Sequence, residues 1–302
     1  MSVSNSNGPD PIERKFLELS EKRLEKFASL FPRVLISDDA DTIHDARVWS
    51  RRLQQILRIL FPKPGNKKSR KLTRRLKKVR RALGPCRNLD VMADLLHAKI
   101  ENTGNPVARD AWDQLQMHVA GKRRDALARA RKKLSRYDIV DFINRAQALL
   151  FSVPSSDNAE RDLSGSIAQA LDDWKQALDN AKQKFEAEQI HRLRIAGKGL
   201  RYRVELLAEL GDTEAKSQTK ALKALQDQLG EWHDRVVLLE IAAEFLAQKD
   251  FLASHPDLSR ALLIEMERER RRNDAALSNI LKAAEKFRDA LAQTKMTQEI
   301  AG

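Results

Sequence analysis

Apolar positions recur at intervals of three to five residues along most of the chain, which is the spacing of amphipathic helices. The first such segment begins at Pro11 and carries Phe16, Leu24 and Phe27. We expect it to end before Pro32, because proline lacks the backbone N–H that a helix interior requires. β-Branched residues nowhere gather into alternating runs of strand length. The pattern predicts an all-α protein.

Polar and Gly/Pro breaks divide the rest of the chain into further helices. Asp41 is a candidate N-cap for a helix over 42–61. A very basic helix over 66–83 is expected to end at Gly84-Pro85. The other predicted helices cover 88–101, 106–135, 138–151, 160–185, 188–210, 214–229, 233–248 and 257–295.

Two polar segments set the predicted domain limits. Residues 1–10 contain Gly and Pro and read as a flexible tail. The segment "SVPSSDN" separates two helical patterns and combines Pro, Ser, Asp and Asn, as linkers do. We therefore expect one domain over 11–302 that consists of two halves, 11–152 and 159–302.

The two halves resemble each other. "IHDARVWSRRL" matches "IHRLRIAGKGL", and "LKKVRRALGPCRNLDV" matches "LKALQDQLGEWHDRVV" further along each half. A two-helix unit is therefore predicted to occur twice. The first match pairs His44 with His191, Arg47 with Arg194, and Arg51 with Lys198.

These matches place polar residues on one face of a helix in each half. At about 100° per residue, His44, Arg47 and Arg51 share a face opposite the apolar positions. A solvated basic surface is the ordinary interpretation of one such helix. Recurrence of the same residue types at the same spacing instead favours a site for an anion with repeated charges. The second face consists of His191, Arg194, Lys198 and Tyr202.

The second matching element adds a basic trio in each half, which we predict to face the same ligand. The two trios are Arg70, Arg74 and Lys77, and Lys216, Lys220 and Lys223. Nearby cations without basic counterparts in the second half are assigned to general electrostatic attraction. These are Arg75, Lys78, Arg80 and Arg81.

Charge narrows the possible partners without selecting one. Lys and Arg number 56 against 43 acidic residues, a net charge of +13, which indicates nucleic acid, an acidic membrane surface or a phosphate polymer. A single Cys86 excludes an internal disulfide and fits a reducing compartment. The N-terminus lacks the features of a signal peptide, and no run of 18 apolar residues occurs. We therefore expect a cytoplasmic protein.

The segments "IHDARVWSRRL", "IHRLRIAGKGLRY", "LGPCRNLDV" and "LGEWHDRVV" together resemble the CHAD domain, the conserved histidine α-helical domain. The resemblance implies two pseudo-twofold-related four-helix bundles around a central basic cavity that binds polyphosphate. Gly199 and His233 depart from the family pattern, which commonly has a basic residue and Asn there. The resemblance implies the site residues His44, Arg47, Arg51, Arg52, Arg87, His191, Arg194, Lys198, Arg201 and Tyr202.

The predicted function is therefore non-enzymatic binding of inorganic polyphosphate, in a pore or a groove. The family also implies association with polyphosphate or storage granules. No Gly-rich nucleotide loop, no HExxH motif and no acidic cluster suited to Mg²⁺ occurs in the sequence, so we expect no cofactor, metal or catalytic residue. A helical nucleic-acid-binding protein is the alternative. Aromatic residues make up only 5% of the chain, which is few for stacking on bases.

Overall fold

The computed structural model describes residues 11–61, 66–152 and 159–292, and all regular structure in these ranges is helical. The all-α prediction is confirmed. The predicted tail over 1–10 and most of the predicted linker lie outside the described residues. The helices are α1 (Pro11–Ile36), α2 (Ala40–Leu60), α3 (Lys67–Asn102), α4 (Pro106–Leu134), α5 (Ile139–Leu150), α6 (Ala159–Gln183), α7 (Ala187–Leu210), α8 (Thr213–Leu246), α9 (Lys249–Ser254) and α10 (Pro256–Ala292).

Side-chain caps begin several of these helices, because the first backbone N–H groups of a helix have no partner within it. Asn66 accepts hydrogen bonds from the N–H groups of residues 68 and 69 at the start of α3. Asn105 caps α4, with Pro106 as the first helical residue. Gly211 ends α7 at φ 121°, a conformation that favours glycine.

The end of α1 and the start of α2 differ from the predicted positions. α1 continues through Pro32 to Ile36, because Phe31 and Val34 are both buried and hold this last turn against the core. The cap of α2 is Asp39 and not Asp41, since the Asp39 carboxylate accepts from the backbone N–H of residues 41 and 42. α2 therefore begins earlier than its sequence pattern indicated.

Two predicted breaks are also wrong. α3 runs unbroken through Gly84-Pro85, and α8 runs unbroken through Gly230. Proline inside a helix costs about 3 kcal/mol, but Leu83 and Cys86 on either side of this point are fully buried. Burying such side chains contributes about 1.5–3 kcal/mol each, which offsets the break. The short helix α9 was not predicted.

The long helices pack mainly within their own half of the chain. α1 packs on α2, α2 on α3, and α3 on α4, with α5 against α1 and α3. In the second half α6 packs on α7, α7 on α8, and α8 on α10. Over the described residues, each half thus contains four long helices and one short helix. The pseudo-twofold relation between two bundles stays a prediction.

The two halves meet along several helix pairs, chiefly α4 with α10 and α2 with α6 and α7. Ion pairs cross this boundary. Arg23 of α1 lies 2.8 Å from Glu209 of α7, and Lys99 of α3 lies 2.5 Å from the buried Glu269 of α10. These contacts fix the second half against the first and leave a cavity between α2, α3, α7 and α8.

Candidate anion-binding site

The central cavity has a volume of about 570 Å³ and receives side chains from both halves. Eight Lys and Arg residues and one His line it, against three carboxylates. Its walls are the middle of α2, the segment of α3 after Gly84, and the facing segments of α7 and α8. The lining residues are His44, Arg47, Val48, Arg51, Arg52, Arg87, Asn88, Val91, Arg194, Lys198, Arg201, Tyr202, Lys223, Gln226, Asp227, Gly230, Glu231 and Asp234.

The structure brings ten of the sixteen predicted site residues together in this cavity. They are His44, Arg47, Arg51, Arg52, Arg87, Arg194, Lys198, Arg201, Tyr202 and Lys223. The other six predicted residues are exposed on α3, α7 and α8 and do not line the cavity. They are Arg70, Arg74, Lys77, His191, Lys216 and Lys220.

Arg47 is held at the crossing of α2 and α3. Its Nη1 donates a hydrogen bond of 2.6 Å to the carbonyl of Arg80. A Cβ at Gly84 would lie 3.3 Å from Nη1 of Arg47, so the absence of a side chain at this position makes room for the guanidinium. Burial, with Arg51 and Arg87 nearby, lowers the pKa of Arg47 to about 10.

Arg80 completes this crossing from the other side. Its Nη1 donates to the carbonyl of Ser50 at 3.0 Å, and its Nη2 donates to the side chain of Gln54. Burial and the neighbouring Arg51 and Arg47 lower its pKa to about 9. Arg80 was assigned to general electrostatic attraction and not to the site; it does not line the cavity, and its side chain is half-buried between two helices.

Tyr202 joins the two halves inside the cavity. Arg51 of α2 donates to the Tyr202 hydroxyl at 3.2 Å. The guanidinium of Arg201 lies 4.4 Å from the centre of the same ring, within the range of a cation–π contact. The ring is only 6% exposed, so its role is to hold the two arginines on one surface.

Arg194 and Lys198 form the most strongly desolvated part of the site. Burial, followed by repulsion from Arg194 and Arg51, lowers the pKa of Lys198 to about 7. Burial also lowers the pKa of Arg194, although Asp234 acts in the opposite direction. Such shifts arise where cations are crowded in a site with little access to water. A bound anion would relieve both effects.

Several of these cations have no ion-pair partner in the part of the chain that the structure describes. Among the described residues, the ion pairs include none with the cavity residues Arg47, Arg51, Arg87, Arg194 or Lys198. Over the same part of the chain, Nε of Arg194 and both amide atoms of Gln226 are buried without a hydrogen-bond partner. Buried polar groups are normally satisfied, so these unpaired atoms are exceptions.

Arg52 and Arg201 differ from the rest because a carboxylate already contacts them. Glu205 of α7 pairs with Arg201 and lies 3.8 Å from Arg52. The side chain of Glu205 is 12% exposed. This end of the basic surface is therefore partly neutralised in the free protein.

The two aligned histidines have different surroundings. His44 lines the cavity, and burial together with Arg87 lowers its pKa. His191 lies outside the cavity with its ring 5.2 Å from that of His233, and burial followed by His233 lowers its pKa. Burial is the larger cause of both pKa shifts, and neighbouring cations act in the same direction.

One wall of the cavity was missed by the sequence analysis. Asp227, Glu231 and Asp234 line it from α8, at the i, i+4 and i+7 spacing that places residues on one helix face. The matching positions of the first half are Arg81, Pro85 and Asn88. A comparison of charge between the repeats would have found this difference.

The described residues were also compared with the requirements of a metal site and of a membrane-spanning helix. These ranges contain no group of three or more His, Cys, Asp or Glu side chains placed to hold a metal ion. Over the same ranges, no helix is both long and apolar enough to cross a membrane.

Comparison with known proteins agrees with this architecture. An uncharacterized protein of Mycobacterium tuberculosis, in strains CDC 1551 / Oshkosh and H37Rv, is 26% identical over 301 residues. The match covers 94% of this chain and 56% of the mycobacterial protein, so the chain spans about half the length of these curated relatives. The crystal structure of the CHAD domain from the plant Ricinus communis has the same fold, with a TM-score of 0.64 and 21% identity over 90% of this chain and 92% of that chain. The CHAD domain model matches residues 18–243, and the chain therefore belongs to the CHAD domain family.

Proposed function

We propose that this protein binds inorganic polyphosphate in the central cavity and does not hydrolyse or transfer it. The observation that carries the proposal is a set of cations that come from both halves, line one cavity and have no ion-pair partner among the described residues. They are Arg47, Arg51, Arg87, Arg194 and Lys198. Polyphosphate has a negative charge at each unit, and guanidinium forks match its oxygens. The lysine adds a compact charge between them.

Desolvation gives these contacts their strength. Hydrogen bonds that involve charged groups contribute about 1.5–3 kcal/mol each, and more than one such contact can form along a polymer. Burial of Arg47, Arg194 and Lys198 lowers each pKa, so bound phosphate would stabilise charges that are costly in the empty site. The site needs no metal or cofactor for this.

Nucleic acid fits the same cavity less well. Tyr202 is the one Phe, Tyr or Trp side chain among the lining residues, and its ring is already covered by Arg201. Single-stranded nucleic acid normally stacks its bases on accessible aromatic rings. The cavity offers phosphate contacts without a surface for bases.

Competition separates these functions. Labelled long-chain polyphosphate is bound to the purified protein and displaced with unlabelled polyphosphate or with RNA of equal phosphate concentration. We expect polyphosphate to displace the label at far lower concentration. Equal displacement by RNA would favour the nucleic-acid function. Release of inorganic phosphate on incubation with polyphosphate and Mg²⁺ would contradict binding without catalysis.

Two further features belong to the proposal. We propose a cytoplasmic location, with recruitment to polyphosphate or storage granules through the same cavity. Fluorescently tagged protein should then leave the granules when both Arg51 and Arg194 are replaced.

A further inference from the structure

The acidic wall of the cavity is unexpected in a site for a polyanion. Asp227, Glu231 and Asp234 of α8 face the cations of α2 and α7 across the same cavity. In the first half the corresponding positions carry no carboxylate. The two halves therefore differ in charge, because α8 contributes carboxylates to the cavity and α3 contributes none at the matching positions.

Asp234 acts on the buried cations of α7. Its charge favours the protonated forms of both Arg194 and Lys198, against the effect of burial. Asp234 itself is partly buried, with its side chain 28% exposed, and its carboxylate lies 3.4 Å from Nδ1 of His233. It forms no ion pair with Arg194 or Lys198 within 4.0 Å among the described residues, so both cations keep their donors free.

We propose that Asp234 is an internal counter-ion of Arg194 and Lys198 that competes with bound phosphate and thereby sets the affinity of the site. This inference rests on the proposed function for its ligand. Asp227 extends the same repulsion along α8, and Glu231 adds less because Arg235 lies 3.6 Å from its carboxylate. The phosphate chain therefore lies against α2, α3 and α7. The carboxylates limit binding strength, and the cations remain in place when the site is empty.

The magnitude follows from Coulomb's law. The repulsion between the Asp234 carboxylate and a bound phosphate falls with distance and with the local dielectric constant. Salt and water in the cavity weaken it further. Removing the charge of Asp234 is therefore expected to tighten polyphosphate binding about fivefold to tenfold.

The test compares Asp234→Asn with Glu240→Gln, a control on the same helix. Glu240 is exposed and lies outside the cavity, so both variants remove one negative charge from α8. Isothermal titration with long-chain polyphosphate at pH 7 should show tighter binding for Asp234→Asn and no change for Glu240→Gln. Unchanged or weaker binding by Asp234→Asn would overturn the proposal. Asp227→Asn, at an exposed position, should shift affinity in the same direction and serves if Asp234→Asn does not fold.

A second measurement needs no polyphosphate. The pKa of the Lys198 amine is followed by NMR of ¹³C-labelled lysine, and it should fall in Asp234→Asn because a favourable charge is lost. The other charged groups that act on Lys198 are Arg194, Arg51 and Arg201, and all remain in the variant. An unchanged Lys198 pKa in Asp234→Asn would refute the role of Asp234 as a counter-ion. Absence of polyphosphate binding in the parent protein would instead refute the proposed function alone.

Discussion

Replacing Lys198 by methionine should make the free protein more stable and the complex weaker. In the folded protein burial and cationic neighbours lower the pKa of Lys198 from 10.5 to about 7. Each pKa unit corresponds to about 1.36 kcal/mol, so at pH 7 the buried amine costs about 4 kcal/mol relative to the unfolded chain. Methionine is also unbranched, is one atom shorter, and removes this cost.

The stability gain of Lys198→Met should decrease as pH rises. Because the folded-state pKa is lowered, the cost is complete below about pH 7 and disappears as pH rises above 10.5, where the amine is neutral in both states. The stability gain of Lys198→Met should therefore fall from about 4 kcal/mol at pH 7 to about 1 kcal/mol at pH 9.5. Urea unfolding of both proteins at these two pH values measures it. Lys132→Met, at an exposed position of α4, is the control and should change stability by less than about 0.5 kcal/mol.

Polyphosphate binding should shift the pKa of the Lys198 amine upwards, opposite to the effect of burial. Bound phosphate should raise the pKa of Lys198 from its free value of about 7. The contribution of Lys198 to affinity is then complete below about pH 7 and falls as pH rises towards the bound value, because binding takes up a proton in this interval. Lys198→Met should bind about tenfold to a hundredfold more weakly at pH 7 and lose this pH dependence. A stability gain that does not change with pH would refute the lowered pKa of Lys198. Unweakened polyphosphate binding by Lys198→Met would refute its role in the complex.

Three further predictions concern other parts of the molecule. Arg123→Met should destabilise the protein by about 3 kcal/mol, because it leaves the buried Asp90 without its ion pair, whereas Arg124→Met on the exposed face should change urea unfolding little. Polyphosphate affinity should fall steeply between about 50 and 300 mM salt through counter-ion release, and a flat titration series would contradict an electrostatic site. Bound phosphate should raise the lowered pKa of His44, which lines the cavity, so binding should strengthen as pH falls through the interval between the bound and free values, and His44→Gln should flatten this profile below about pH 7.

The helices and the basic faces could be predicted because both depend on local spacing. His44, Arg47 and Arg51 share a face for any regular helix, and the repeat identifies their counterparts without a structure. The breaks at Pro32 and Gly84-Pro85 could not be predicted correctly. Their outcome depends on burial of the flanking residues in the tertiary core, which outweighs the local cost of proline.

Residue spacing predicts which helix face is basic, but it does not predict how far along each helix the cavity extends. Arg70 precedes Arg87 by 17 residues on α3, which is about 25 Å along a helix. Lys216 lies about 10 Å before Lys223 on α8 for the same reason. Residues on the correct face can therefore lie far from the point where the helices meet.

Contacts between helices were also beyond the sequence. Glu205 meets Arg52 from another helix and the other half of the chain. Arg80 reaches the α2 backbone because the two helices cross closely there. Gly197 makes room for the buried amide of Gln226, which a Cβ at this position would overlap. Each of these depends on distances that no helical pattern contains.

The central claim is that a defined site formed by both halves, and not net charge, holds polyphosphate. Arg51→Gln with Arg194→Gln removes one cavity guanidinium from each half, and Arg124→Gln with Arg129→Gln removes two exposed guanidinium groups from α4. Titration calorimetry with long-chain polyphosphate at one salt concentration compares the two double variants. At about 1.5–3 kcal/mol per charged contact, the cavity variant should bind at least a hundredfold more weakly, and the α4 variant should bind within a few-fold of the parent. Equal losses in the two variants would contradict a defined site.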